Sequence, residues 1–171
     1  KNQGVQELIR ANSLEDAKIT AYHIGFVLGP CINASGRLDT AARSLALLNA
    51  KTKEEAARLA GDLTALNQSR KALTEKGKEE AIRIIETTEL KNDRVLVVYL
   101  PDCHESLAGI IAGRIREKYH RPAFVLTGGE TSAKGSGRSI ESYSMYEELV
   151  KCADLMIQFG GHPMAAGLSI E

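Results

Sequence analysis

The chain contains no tryptophan, and only 5% of its residues are aromatic, so a nucleic-acid surface built mainly on stacking rings is excluded. It has no surplus of either charge: 22 Lys and Arg balance 22 Asp and Glu. The balance argues against a broad basic face, so any phosphate binding is expected to be local, by a few placed groups. Its three cysteines, Cys31, Cys103 and Cys152, are scattered. They offer no metal spacing and fit a reducing, cytoplasmic compartment. No apolar run is long enough to span a bilayer, and no signal peptide is visible. Carboxylates are dispersed as well. Asp16, Asp39, Asp62, Asp93, Asp102 and Asp154 give no D-x-D or D-x-x-D pair, and His23, His104, His120 and His162 share no ligand spacing. A complete metal site is not legible. Neither is a serine nucleophile elbow, a P-loop or a dinucleotide fingerprint.

What is present reads as one ordinary soluble domain, or one small domain with an appendage, at 171 residues and 43% hydrophobic content. The chain opens at Lys1 and stops at Ile170-Glu171 inside a strand-like run, as a piece of a longer protein would. An apolar run, Ala21 to Leu28, is closed by the breaker pair Gly29-Pro30. INASGRL follows, then a helical stretch through Ala41, Leu45 and Leu48.

The strongest periodicity spans 52–89. Thr52 and Glu55 form a capping box, and Ala56, Leu59, Leu63, Leu66, Leu73, Ala81 and Ile84 recur at helical spacing. Such a helix would be on the order of 50 Å long and would connect two lobes; a coiled-coil dimer is the rival reading. Beyond it, VLVVYL (95–100) predicts a strand buried on both faces, and 106–119 a helix. On that helix Ala108, Gly109, Ala112 and Gly113 form a small face open to close approach. PAFVL (122–126) and TSAKGSGRSI (131–140) predict two strands. Ser144 and Glu147 cap a second helix, and AAGLSI ends the chain as a fourth strand. Strand–helix–strand–strand–helix–strand implies an α/β fold with a mixed sheet.

Three polar segments invite a ligand. In KGSGRS, Gly135 and Gly137 interrupt a strand, as at a bulge or a ligand contact. Ser136, Arg138 and Ser139 set a forked cation between two hydroxyls, a combination suited to phosphate oxygens. The competing reading is an edge strand with a surface arginine. In GPCINASGRL, Asn33 and Arg37 flank small residues, or the segment is an ordinary loop before a helix. In FGGHPMAAG, Gly160 and Gly161 free the entry to His162 and Pro163 restricts the exit. That predicts an imidazole on a short turn with open amides for an anion, or a tight turn whose histidine merely bonds a neighbouring carbonyl.

Taken together and in this order, the segments resemble the RecJ family of single-strand-specific DNA exonucleases in the DHH phosphoesterase superfamily. GPCINASGRL is similar to the family's GPRxNAxGRL, and HESLAGIIAGRI to its HxGxxGIVAxR helix. GSGRS and FGGHPMAAG resemble the substrate-side motifs of its second domain, DHHA1. The resemblance implies a DHH-side remnant over 1–51, a connector helix over 52–90 and a DHHA1 domain over 91–171. It implies a metal-dependent 5′-to-3′ exonuclease of DNA repair and recombination, with Mn²⁺ or Mg²⁺ held by a DHH catalytic domain N-terminal to this chain. An OB-type domain would follow, and single-stranded DNA would be the partner. Ser136, Gly137, Arg138 and Ser139 would grip a phosphate. His162, with Gly160 and Gly161, would face the scissile phosphate or its neighbour, and Asn33 and Arg37 would line the same groove. No metal is expected on this part of the protein, and no activity from it alone. Two departures stand out: Cys31 replaces a common arginine, and Ser106-Leu107 a frequent Gly-Val. Two other readings share the motifs in part. One is a phosphodiesterase of short oligonucleotides or cyclic dinucleotides, against which GSGRS and GPCINASGRL count. The other is a non-catalytic RNA-binding module, since DHHA1-like domains also occur in alanyl-tRNA synthetase.

Overall fold

The alanine–leucine stripe folds as one helix. In the computed structural model, which describes residues 2–129 and 131–171, α5 runs unbroken over Lys53–Thr87. Its start is capped as the sequence predicts, by Glu55 N–H donating to Thr52 Oγ1 at 3.2 Å. The Glu55 carboxylate reaches one residue further back than a standard box, to the Lys51 N–H at 3.1 Å.

The chain divides into two compact units, Lys1–Ala72 and Leu73–Glu171. In the first, α1 (Gln3–Ala11), α2 (Ala21–His23), α3 (Gly29–Leu38) and α4 (Ala42–Asn49) join the early part of α5. Leu8, Leu28, Cys31, Leu47, Leu59, Ala60 and Leu63 form its core. Gly29-Pro30 is not the break that the sequence predicts. A π-helical turn, Ile24–Leu28, joins α2 to α3, and Gly29 N–H bonds back to the Ile24 carbonyl. Proline removes one N–H and crowds the carbonyl four residues earlier; the wider turn shifts the hydrogen-bond register and lets the helix continue. GPCINASGRL is therefore helix, not loop.

The second unit is a five-stranded mixed sheet in the order β1-β2-β3-β5-β4. The strands are β1 (Leu96–Leu100), β2 (Ala123–Thr127), β3 (Ala133–Arg138), β4 (Gln158–His162) and β5 (Ala165–Ile170). β1 and β2 are parallel, joined through α6 (Glu105–Tyr119), and every other pairing is antiparallel. Leu107, Ile111 and Ile115 of α6 bury against Leu96, Val98, Ala123 and Val125, with Ala81 and Ile85 of α5 alongside. On the other face Met145 and Leu149, from α7 (Met145–Val150), pack on Phe124 and Ala166.

Three local expectations are corrected here. β1 is buried on one face only: Val97 and Tyr99 are 44% and 51% exposed, because β1 is an edge strand with α6 on one side. β3 carries no bulge. Its register runs unbroken, and Gly135 and Gly137 are needed because Leu126, Met145 and Phe124 lie within 2.5 Å of where their β-carbons would stand. Ser144 sits at the N-cap of α7 but makes no capping bond, and its buried hydroxyl has no partner among the described residues.

Candidate phosphate-binding site

The side-chain alternation of β3 decides what faces what. Gly135 and Gly137 look toward the α7 side, so Lys134, Ser136 and Arg138 look toward α6. Arg138 Nη1 donates to the carbonyl of Gly137 at 2.7 Å and approaches the Ser136 hydroxyl at 3.4 Å. A β-carbon on Gly109 of α6 would stand 2.8 Å from both Arg138 Nη2 and Ser136 Oγ. The small face of α6 thus admits the guanidinium and the hydroxyl side by side. Lys134 pairs with Glu105 of α6 at 2.6 Å.

Cross-strand register carries these residues outward in rows. Arg138 pairs with Ala165, and Ala165 with His162. Ser136 pairs with Gly167, and Gly167 with Gly160; Lys134 pairs with Ser169, and Ser169 with Gln158. The middle row has no side chain beyond its serine. Around it lies a cleft of about 640 Å³, bordered by Glu105, Ser106, Lys134, Ser136, Gln158 and Ser169, with Gly160 and Gly167 along its floor. His104 caps the helix beside it, its Nδ1 accepting from Ser106 N–H at 3.3 Å.

His162 is not on a turn. FGGH lies within β4, and the turn is Pro163-Met164, one step later. Two glycines leave a strand with almost no side-chain pattern to read, and the proline draws attention to the wrong residue. Gly161 is required here: its φ is +155°, and a β-carbon would lie 2.4 Å from the Ala165 carbonyl oxygen. The hairpin is held at both turn carbonyls, Pro163 accepting from Met145 N–H and Met164 from Ser139 N–H, each at 2.9 Å. His162 is thereby presented, exposed, at the end of a fixed strand. Ser139 is 1% exposed, and its hydroxyl donates to the Tyr143 carbonyl at 2.6 Å.

Asn33 and Arg37 lie in the first unit, one turn apart on α3. Cys31 is fully buried there, its thiol directed at Asn12. Sequence reasoning missed Lys134, Gln158 and Ser169. The period of two from Arg138 and Ser136 to Lys134 was a usable signal, whereas the other two join only through strand pairing. Among the described residues, no three His, Cys, Asp or Glu side chains stand together so as to hold a metal ion. Among the described residues, too, no helix is long and apolar enough to cross a membrane.

The DHHA1 domain family matches residues 92–171. Curated relatives are each named single-stranded-DNA-specific exonuclease RecJ. Those of Salmonella typhimurium and Escherichia coli are both 40% identical over 98% of this chain, which spans 30% of their length. That of Bacillus subtilis is 35% identical, and 22% of its length is spanned. A crystal structure of RecJ with Mg²⁺ from Thermus thermophilus superposes with a TM-score of 0.86 at 31% identity, over 100% of this chain and 26% of that one. A structure of exonuclease RecJ bound to manganese gives 0.83 at 31%, over 99% and 41%.

Proposed function

The chain belongs to the RecJ family, and we propose that it supplies the phosphate-gripping side of the cleft in a metal-dependent 5′-to-3′ exonuclease acting on single-stranded DNA. The observation that carries this reading is the row Arg138–Ala165–His162 beside a glycine floor. A fork-shaped cation stands at one end and an exposed imidazole at the other, and nothing larger than a methyl group lies between. Arg138 clamps phosphate oxygens while its own strand holds it by the Gly137 carbonyl. Ser136 adds a neutral donor, and His162 meets the neighbouring phosphate. The exposed backbone of Gly160 and Gly161 gives the DNA a surface to approach, while Gly137, buried under Met145 and Phe124, lends its carbonyl to hold Arg138. Ser139, tied to Tyr143, holds the end of β3 in place. Asn33 and Arg37 of α3, within the first unit, are further candidate contacts for single-stranded DNA. With neutral net charge overall, such local contacts are what phosphate binding here requires.

The divisions 1–51, 52–90 and 91–171 correspond in this proposal to a DHH-side region, a connector and the DHHA1 domain. The described residues do not make up a metal site. The Mn²⁺ or Mg²⁺ ligands belong to the DHH domain of the whole protein, and an OB-type domain extends the path of the strand. The 171 residues alone therefore leave labelled single-stranded DNA intact in Mn²⁺; degradation abolished by EDTA and by His162→Ala would refute that.

The reading is tested by equilibrium binding of the full-length protein to a 5′-phosphorylated oligothymidylate, its duplex and a cyclic dinucleotide. Preference for the single strand, lost in Arg138→Ala, is expected. Preference for the cyclic dinucleotide would move the protein to the phosphodiesterase class.

A further inference from the structure

The cleft on the α6 face lies over two neighbouring rows of the sheet. Ser136, Gly167 and Gly160 border it in the middle row, and Lys134, Ser169 and Gln158 in the far row. The middle row is a flat strip. Gly160 and Gly167 are exposed, and a β-carbon on Gly160 would meet, among the described residues, no atom beyond its chain neighbours within 4 Å. The far row is built differently. It carries a long, exposed polar side chain at each end, Lys134 and Gln158, and the hydroxyl of Ser169 between them.

The two ends of this surface differ in charge. Arg138 is held by a carbonyl and a hydroxyl, both neutral. Lys134 is held by a carboxylate, its Nζ donating to Glu105 Oε2 at 2.6 Å across the gap to the start of α6. A phosphate at the far row would meet that carboxylate and be repelled. A neutral group with its own donors and acceptors would not. Lys134 offers a donor, Glu105 an acceptor, and the Gln158 amide both. Donors and acceptors side by side are what the edge of a nucleobase presents, and the unstacked bases of a single strand are read on such edges. The spacing agrees. Lys134 lies four residues from Arg138 on β3, about 13 Å along the strand. A nucleotide whose phosphate rests on the Arg138 row lays its sugar and ring over the glycine strip and points the edge of its base at the far row.

We propose that the far row is a nucleobase subsite, in which Gln158, with the Lys134–Glu105 pair, hydrogen-bonds the edge of one base of the single strand. Gln158 is the principal contact, because its amide supplies a donor and an acceptor together. The Lys134–Glu105 pair keeps this end neutral and closes the cleft. The inference rests on the reading of the chain as part of a single-strand exonuclease, and it adds a base contact to the phosphate contacts of the Arg138 row. Sugar-phosphate then runs across the strands from Arg138 to His162, and the base lies along them.

The experiment measures dissociation constants of the full-length protein in EDTA for a 5′-phosphorylated oligothymidylate, and for the same oligomer with a single abasic residue stepped along it from the 5′ end. At one position the abasic residue is expected to weaken binding to the wild-type protein about tenfold. In Gln158→Ala the intact and abasic oligomers should bind alike at that position. The slope of log K against log salt should stay unchanged in that variant, because no phosphate contact is lost. Gln158→Leu keeps the bulk of the side chain and removes both hydrogen-bonding atoms; it should behave as Gln158→Ala does, and it decides the matter if the alanine variant fails to fold. An abasic penalty that persists undiminished in a folded variant would overturn the proposal. So would a slope reduced by roughly 0.7, which would make the far row a phosphate contact. Binding with no abasic-sensitive position would overturn this inference alone. If the wild-type protein did not bind the strand at all, the exonuclease reading would fall, and this inference with it.

Discussion

Arg138 and His162 stand in one cross-strand row, separated by Ala165 alone. They come from segments more than twenty residues apart, and two strand spacings put their α-carbons on the order of 10 Å from each other. Neither residue reaches this place by its own motif. Gly135 and Gly137 let apolar side chains of the α7 face pack directly on β3, and Gly161 lets β4 lie close to β5. The glycines of both motifs serve the sheet, and the sheet brings the polar groups together.

Gly109→Ala separates stability from binding. Alanine is favoured over glycine inside a helix by about 1 kcal/mol. Its β-carbon, however, would enter 2.8 Å from Arg138 Nη2 and Ser136 Oγ. The arginine is long and can move aside cheaply. The expected outcome is an unchanged or slightly raised Tm together with a raised KM for single-stranded DNA. Calorimetry and steady-state kinetics on the full-length protein check it; a lower Tm with an unchanged KM would contradict it.

Gly161→Ala acts the other way. The side chain would meet the Ala165 carbonyl oxygen at 2.4 Å, and φ of +155° is one that side chains rarely adopt. A loss of roughly 1–3 kcal/mol in unfolding free energy is expected, with His162 displaced. Denaturant unfolding measures the first, and the histidine ring NMR shifts the second. Gly160→Ala is the control, since among the described residues no atom beyond its chain neighbours lies within 4 Å of its added carbon, and it should cost much less.

How much of this was legible in sequence follows from range. The stripe of α5 and the small face of α6 are local patterns, and both were read correctly. The Thr52 cap was legible because its partners lie three residues apart. Ser144 shows the same letters without the bond: its buried hydroxyl has no partner among the described residues. Gly29-Pro30 was misread because a π turn has no sequence letter of its own. The rows across β3, β5 and β4 could not be read at all: they exist only through pairing between strands that the chain reaches after a helix.

Tyr119 predicts a pH effect. Burial, and then the hydrogen bond to Glu86 at 2.6 Å, push its phenol up to about 12. The neutral form is thus favoured in the folded state over the unfolded one, whose pKa is near 10. The contribution to stability is full below pH 10 and is lost as the pH rises through 12. Spectrophotometric titration should show a late-ionising tyrosine that is absent in Tyr119→Phe. If the late phase persists in that variant, another tyrosine is responsible.

The most direct measurement is steady-state kinetics of full-length Arg138→Ala and His162→Ala on 5′-phosphorylated single-stranded DNA at several salt concentrations. A permanently charged clamp acts mainly in binding, so Arg138→Ala should raise KM and flatten its salt dependence, and Arg138→Lys should not fully restore it. An imidazole facing charge that develops in the transition state acts mainly on rate, so His162→Ala should lower kcat by roughly ten- to a thousandfold. Effects on KM alone, of like size in both variants, would make His162 only another binding residue. Wild-type kinetics in both would contradict the assignment of this row to the phosphates of the strand.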